Sequence, residues 1–161
     1  MAAKAKKDKA DRTPRVVNKK AFRDYELTER FEAGVELRGT EVKSLRAGQG
    51  DLDGSYARVL GDECWLISGK IAQYAQASIA NHQPDRKRKL LLHKAEIRKI
   101  RGKLELRGFT LVPLRIYFNE RGLAKVELAL ARGKRQYDKR RKIDEKTQRR
   151  DTDRDLKKYR R

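Results

Sequence analysis

The chain has 161 residues, 43 of them Lys or Arg against 23 Asp or Glu, for a net charge of +20. With 37% hydrophobic and 41% charged residues, it can bury a core of modest size and must carry charged segments outside it, because an ordinary globular domain is roughly a quarter charged. A positive surplus selects nucleic acid, acidic lipid or acidic protein as partner, and lipid is disfavoured by the lack of any apolar run of about 18 residues.

The opening "MAAKAKKDKADRTPR" has no apolar h-region, which reads as a cytoplasmic protein with a disordered basic arm over residues 1–17. The single Cys64 can form no internal disulfide, which fits a reducing compartment. The body, residues 18–131, opens with "DYELTERFEAGVEL". Tyr25, Leu27, Phe31, Ala33, Val35 and Leu37 alternate with polar neighbours, the pattern of a long half-buried strand. Glu29 breaks the alternation, so a bend is expected there. "GTEVKSLRAG" predicts a short helix between Gly39 and Gly48 with Val42 and Leu45 inward. "SYARVL" and "ECWLIS" are two strands joined by a Gly61-Asp62 hairpin turn. "KIAQYA" is a candidate short strand, and "NHQPDRKRK" is a polar loop around Pro84.

Leu90, His93, Ile97, Ile100 and Leu104 recur at helical spacing, with Gly108 as the stop. "FTLVPLRIYF" places Val112, Leu114, Ile116 and Phe118 on one face of a strand, with Pro113 marking an edge or a bulge. After a turn at Asn119 to Gly122, "LAKVELALA" turns Val126, Leu128 and Leu130 in and Lys125 and Glu127 out. The order β, α, β, β, α, β, β predicts a mainly β fold: a small closed antiparallel β-barrel with short flanking helices. A basic tail, residues 132–161, follows.

Catalysis is not indicated. His82, His93 and Cys64 lack metal-ligand spacing, and His82 reads as a loop hydrogen-bonder that also stands among the candidate RNA contacts. Glu32, Glu41, Asp51 and Asp53 could hold magnesium in a nuclease, but carboxylates on the polar faces of a strand and a helix explain them as well. "GQGDLDG" lacks the spacing of a phosphate loop. The basic runs are the positive signal. "DRKRK", with Arg86, Arg88 and Lys89, and "ARGKRQYDKRRK" supply phosphate-binding cations, and Tyr137 can stack on an unpaired base. No recognition helix for a DNA major groove is evident, which favours RNA. A basic ribosomal or ribosome-assembly protein that binds rRNA would share these features.

Three stretches, "NKKAFRDYELTERFEAGVELRGTEVKSLRAG", "NHQPDRKRKLLLHKAEI" and "ARGKRQYDKR", closely resemble the small protein B family, the SsrA-binding or tmRNA-binding proteins of bacteria. The similarity runs from about Val17 to about Asp144. It implies an oligonucleotide-binding-like barrel that binds the tRNA-like domain of tmRNA without metal or cofactor. It implies delivery of the charged RNA, with an elongation factor, to stalled ribosomes in trans-translation. By motif position, Asn18, Glu32 and Leu91 fall where the family contacts tmRNA, with Lys19, His82, Arg86, Arg88 and Lys89 nearby. Gly133, Lys134, Arg135, Tyr137, Asp138, Lys139, Arg140, Arg141 and Lys142 open the segment that acts at the decoding centre. If helical, Lys139 to Tyr159 would span roughly 30 Å at about 1.5 Å per residue, enough to enter an empty message channel of the small-subunit rRNA. A monomer is expected.

Overall fold

The computed structural model of the protein describes residues 15–77, 81–106 and 108–134. In chain order the elements are β1 (Val16–Val17), α1 (Lys19–Asp24), β2 (Tyr25–Val35), α2 (Gly39–Arg46), β3 (Gly50–Asp51), β4 (Tyr56–Leu60), β5 (Glu63–Ile67), β6 (Lys70–Ile71), β7 (Arg88–Leu91), α3 (Lys94–Leu104), β8 (Phe109–Phe118) and β9 (Ala124–Gly133). The pairings are antiparallel. Strands β8, β4, β5, β7, β2 and β9 lie side by side in that order, and β9 returns to β8, so the sheet closes into a ring. Closure removes the long open edges that an extended strand would otherwise expose. The small strands β3 and β6 pair separately.

The inside of the ring is filled by Ala33, Leu66, Leu90, Leu111, Val126, Leu128 and Leu130, with Leu45 and Ile100 closing it from α2 and α3. Two bulges divide the outside. In β2 the register with β9 shifts between Leu27 and Arg30, at the Glu29 break seen in the sequence. In β8 the register with β9 shifts between Pro113 and Arg115, so Pro113 marks a bulge. An extra residue reverses which face a side chain takes, because side chains alternate with a period of two. Phe31 therefore packs on the inner core, while Tyr25 and Leu27 pack on a second, outer cluster of Ala21, Val112, Leu114, Ala129 and Ala131. The single-faced strands expected from alternation are corrected accordingly. The small side chains of Ala129 and Ala131 leave room for α1, whose Ala21 is 1% exposed.

Three further expectations change. Val16 and Val17 pair with Ile116 and Arg115, so the N-terminal arm cannot extend to residue 17. Leu90 belongs to β7, which pairs with β5 and β2, and α3 begins only at Lys94 after His93, whose backbone N–H donates to Glu96 Oε2 at 3.0 Å. A continuous apolar run suits a strand buried on one side as well as it suits a helix, and periodicity alone does not separate them. Finally, β9 runs to Gly133, which pairs with Tyr25, so the body extends past residue 131. The expected β4–β5 hairpin is present, with Gly61 at φ 59° in its turn.

Candidate nucleic-acid interface

The bulges leave the outer face of β2, β9 and β8 in two halves. Helix α1 covers the apolar half. The other half is polar and carries Arg30 and Glu32 from β2, Lys125 and Glu127 from β9, and Arg115 and Tyr117 from β8. Register places Tyr117, Lys125, Gly34 and Leu91 in one row across four strands. The next row holds Arg115, Glu127 and Glu32.

Glu32 is accessible, its side chain 56% exposed, with Lys125 Nζ 3.3 Å from Oε1. The Tyr117 hydroxyl donates to Oε2, and the Arg115 guanidinium sits 5.1 Å from the Tyr117 ring centre. The Tyr117 bond holds the Glu32 carboxyl below its ordinary pKa; burial opposes it, and Lys125 and Arg115 add to the lowering. Burial, together with the adjacent carboxylate, pushes the Tyr117 phenol up to about 12. At neutral pH Glu32 is therefore an acceptor only, and Tyr117 keeps its proton. Glu127 is held between Arg30, at 3.2 Å, and Arg115, at 2.5 Å. The surface thus holds three cations and two carboxylates, with Arg30 and Arg115 on Glu127 and Lys125 on Glu32. It can attract phosphate and still choose a hydrogen-bond donor. Arg115, Tyr117 and Lys125 were not among the residues singled out from the sequence, although the outward phase of Lys125 was evident; their neighbourhood with Glu32 depends on pairing between strands far apart in the sequence.

Leu91 is 54% exposed at the end of the first row. Lys19 is exposed on α1. Lys89 pairs with Glu63 on the neighbouring strand, and Lys87 between Arg86 and Arg88 is exposed.

Three expected RNA contacts are corrected because their side chains are interior. Asn18 is 3% exposed. Its Oδ1 accepts from Ala21 N at 3.0 Å and caps α1, while Nδ2 donates to Leu52 O at 3.0 Å and Pro113 O at 3.1 Å. Its backbone N–H reaches Leu114 O, so Asn18 satisfies the carbonyls freed by the β8 bulge. His82 is 1% exposed. Nε2 faces Ile71 O at 3.1 Å and Nδ1 faces Thr40 Oγ1 at 2.9 Å. A carbonyl can only accept, so Nε2 carries a proton, and the Thr40 hydroxyl, which can donate or accept, partners Nδ1.

Arg88 is fully buried against fully buried Glu41. Its guanidinium donates to Glu41 Oε1 at 2.9 Å, Gly69 O at 2.5 Å, Arg86 O at 3.1 Å and Pro84 O at 2.8 Å. Arg86, partly exposed, grips the same carboxylate with Nε at 2.8 Å and Nη2 at 2.6 Å. The backbone N–H of Arg38 adds a bond at 2.6 Å. Burial pushes the Glu41 carboxyl up, but Arg86, the Arg38 N–H and Arg88 together outweigh it and leave the pKa below its ordinary value. Within "DRKRK", Arg86 and Arg88 therefore form an internal clamp that ties the end of the β6–β7 loop to Glu41 of α2, while Asp85 and Lys87 stay exposed. The Glu41 component of a magnesium site is excluded by the same clamp, and Asp53 pairs with Lys20 at 2.7 Å.

Of the segment expected to act on the ribosome, Gly133 is in β9 and Lys134 fastens the strand to α1. Its N–H donates to Asp24 O, and its Nζ donates to Phe22 O and Arg23 O at 3.0 and 3.1 Å. Arg135, Tyr137, Asp138, Lys139, Arg140, Arg141 and Lys142 lie outside the described residues, as does the expected tail helix.

Comparison with known proteins decides the family: the one described as SmpB protein matches residues 15–158. The chain belongs to this family. An SsrA-binding protein of Thermus thermophilus is 59% identical over 128 residues, covering 80% of this chain and 89% of its relative. One from Syntrophobacter fumaroxidans is 54% identical over 144 residues, covering 89% and 88%. A solved chain described as "tmRNA-SmpB: a journey to the center of the bacterial ribosome" is 58% identical with a TM-score of 0.66, covering 76% of this chain and 86% of that one. The family match takes in the basic residues beyond Lys134 up to residue 158.

Proposed function

We propose that the protein binds the tRNA-like domain of tmRNA and carries it to stalled ribosomes in trans-translation. The observation that carries this reading is the exposed carboxylate of Glu32 held by Tyr117 and Lys125, on a chain whose net charge is +20 and whose family is the SmpB protein. An exposed carboxylate repels phosphate, so its place on an RNA-binding face calls for a donor on the RNA, a base amino group or a ribose hydroxyl. Arg30, Arg115 and Lys125 outnumber Glu32 and Glu127 by one on this face, and that surplus, with the basic remainder of the chain, supplies the attraction that the carboxylate lacks. In this reading the ring of strands is an oligonucleotide-binding-like barrel, Leu91 and Lys19 lie at the margin of the RNA site, and the role is non-catalytic. The protein acts in the cytoplasm as a monomer, together with an elongation factor on the charged RNA. The basic segment from Arg135 onward enters the codon-free A site and the message channel, where intact message would exclude it.

The test is to recover the full chain from bacterial cells and sequence the RNA that co-purifies. Enrichment of tmRNA is expected. Glu32→Ala should weaken binding of the isolated tRNA-like domain by roughly ten- to a hundredfold, the worth of a hydrogen bond to a charged group. Binding to bulk rRNA in place of tmRNA, unaffected by Glu32→Ala, would refute the reading in favour of a structural ribosomal protein.

A further inference from the structure

Helix α3 carries five cations, and its two flanks differ in how those cations are balanced. On the flank toward β2, Lys99 and Lys103 pair with Glu29 at 2.8 and 3.0 Å. On the flank toward the β4–β5 hairpin, Lys94, Arg98 and Arg101 recur at i, i+4 and i+7, a stripe about 10 Å long at a rise of roughly 1.5 Å per residue. With Ile97 and Asp62 they line a hollow of about 240 Å³. The hairpin fixes Arg101, which donates to Gly61 O and to Asp62 Oδ1, the latter at 3.0 Å. Lys94 and Arg98 are exposed, and neither meets a carboxylate among the described residues. The helix's own acid, Glu96, is taken up by the His93 N–H. Like charges three and four residues apart repel on a helix face, and Lys94 stands in the first turn, where the helix dipole disfavours a cation. A helix that breaks local rules without compensation inside the chain points to a functional surface.

We propose that Lys94, Arg98 and Arg101 form a second RNA-binding surface, which takes the sugar-phosphate backbone of ribosomal RNA. The inference rests on the reading of the protein as a carrier of RNA to the ribosome, and adds a contact that neither the Glu32 face nor the basic segment supplies. In the ring, β4 and β5 are separated from β2 and β9 by β7 on one side and β8 on the other. One RNA on the Glu32 face therefore leaves the hairpin flank of α3 to another. The occupant follows from the chemistry. Three cations against one carboxylate line the hollow, and that carboxylate is already matched by Arg101. A phosphate backbone supplies the missing anions and relieves the repulsion along the stripe. No aromatic ring is among the lining residues, so the surface holds backbone and reads no base. The sole apolar lining residue, Ile97, is 6% exposed, so an acidic protein would find charge without the apolar core of a protein interface.

The experiment compares the full chain with its Lys94→Gln, Arg98→Gln double variant, reading equilibrium binding to vacant bacterial ribosomes and to full-length tmRNA over a salt series. Gln is as good a helix former as the residues it replaces. On ribosomes, the slope of log K against log salt should shrink by about 1.4–1.8, the share of two phosphates, with binding correspondingly weaker. On tmRNA, slope and affinity should stay at wild type. The free variant should melt no lower than wild type, because like charges have been removed. An unchanged ribosome slope overturns the proposal. An equal loss on tmRNA overturns it too, since the stripe would then belong to the tmRNA site. A marked fall in melting temperature assigns the cations to the fold and likewise overturns it. Failure of the underlying reading looks different: wild type itself would then show no salt-dependent binding to ribosomes, and Glu32→Ala would leave tmRNA binding intact.

Discussion

Replacing Glu41 by Gln keeps the shape of the clamp and removes its charge. Each group that meets the carboxylate is a donor: the Arg38 N–H, Nε and Nη2 of Arg86, and Nε of Arg88. The Gln amide keeps one oxygen and turns an NH₂ toward the donors of the other. Arg88, fully buried, then holds an uncompensated charge. Breaking a buried pair from one side costs about 3–5 kcal/mol, a large part of a total stability of roughly 5–15 kcal/mol. With a urea slope of about 2 kcal/mol per molar, the unfolding midpoint should fall by roughly 2 M at neutral pH with the slope unchanged. The folded-state pKa of Glu41 lies below its ordinary value, so its contribution is complete above the unfolded carboxylate range, near 4.3, and is lost as pH falls through the lower folded value. The gap between wild type and Glu41→Gln should therefore narrow in acid. A loss under about 1 kcal/mol at pH 7, or a gap independent of pH through that window, would refute the reasoning.

Asn18→Ala should lower stability by about 2–3 kcal/mol, the sum of a lost helix cap and a deprived bulge carbonyl. Denaturant unfolding checks this, and in the folded population RNA affinity should stay near wild type. Gly50→Ala should cost about 1–3 kcal/mol by overpacking, since a Cβ there would sit 2.9 Å from Val16 Cγ2 and 3.0 Å from Leu45 Cδ2; a lowered melting temperature is the readout. Ending the chain after Lys134 should leave affinity for the tRNA-like domain within about twofold and abolish tagging on stalled ribosomes. Tagging by the shortened chain would show that the basic segment is dispensable.

What the sequence disclosed was mostly local. Glu29 announced the β2 irregularity, Gly61-Asp62 the hairpin and Pro113 the β8 bulge, since each rests on the conformational habits of a few adjacent residues. Leu91 could be placed outside by motif position. Long-range partners were hidden. Nothing within "DRKRK" indicates that Arg88 meets Glu41, 47 residues earlier, and an isolated basic run looks like a solvated face. Asn18 did carry a readable signal, a capping residue ahead of a short helix, but its side chain's grip on Pro113 O, 95 residues away, did not. His82 likewise sits in a polar stretch and is buried only because Thr40 and Ile71 meet it there.

The bulge in β8 makes one strand run in two phases. Leu111 points to the inner core, Val112 and Leu114 to the outer cluster, and Ile116 and Phe118 inward again. Removing a single residue at the bulge would bring the halves into a common phase, and one pair, Val112 with Leu114 or Ile116 with Phe118, would change sides together. Arg115 and Tyr117 would swing with the second pair, taking away the hydroxyl that steadies Glu32. A one-residue deletion here is therefore a frameshift in space: the amino acids downstream are unaltered, yet the strand's outward lettering no longer spells the same surface.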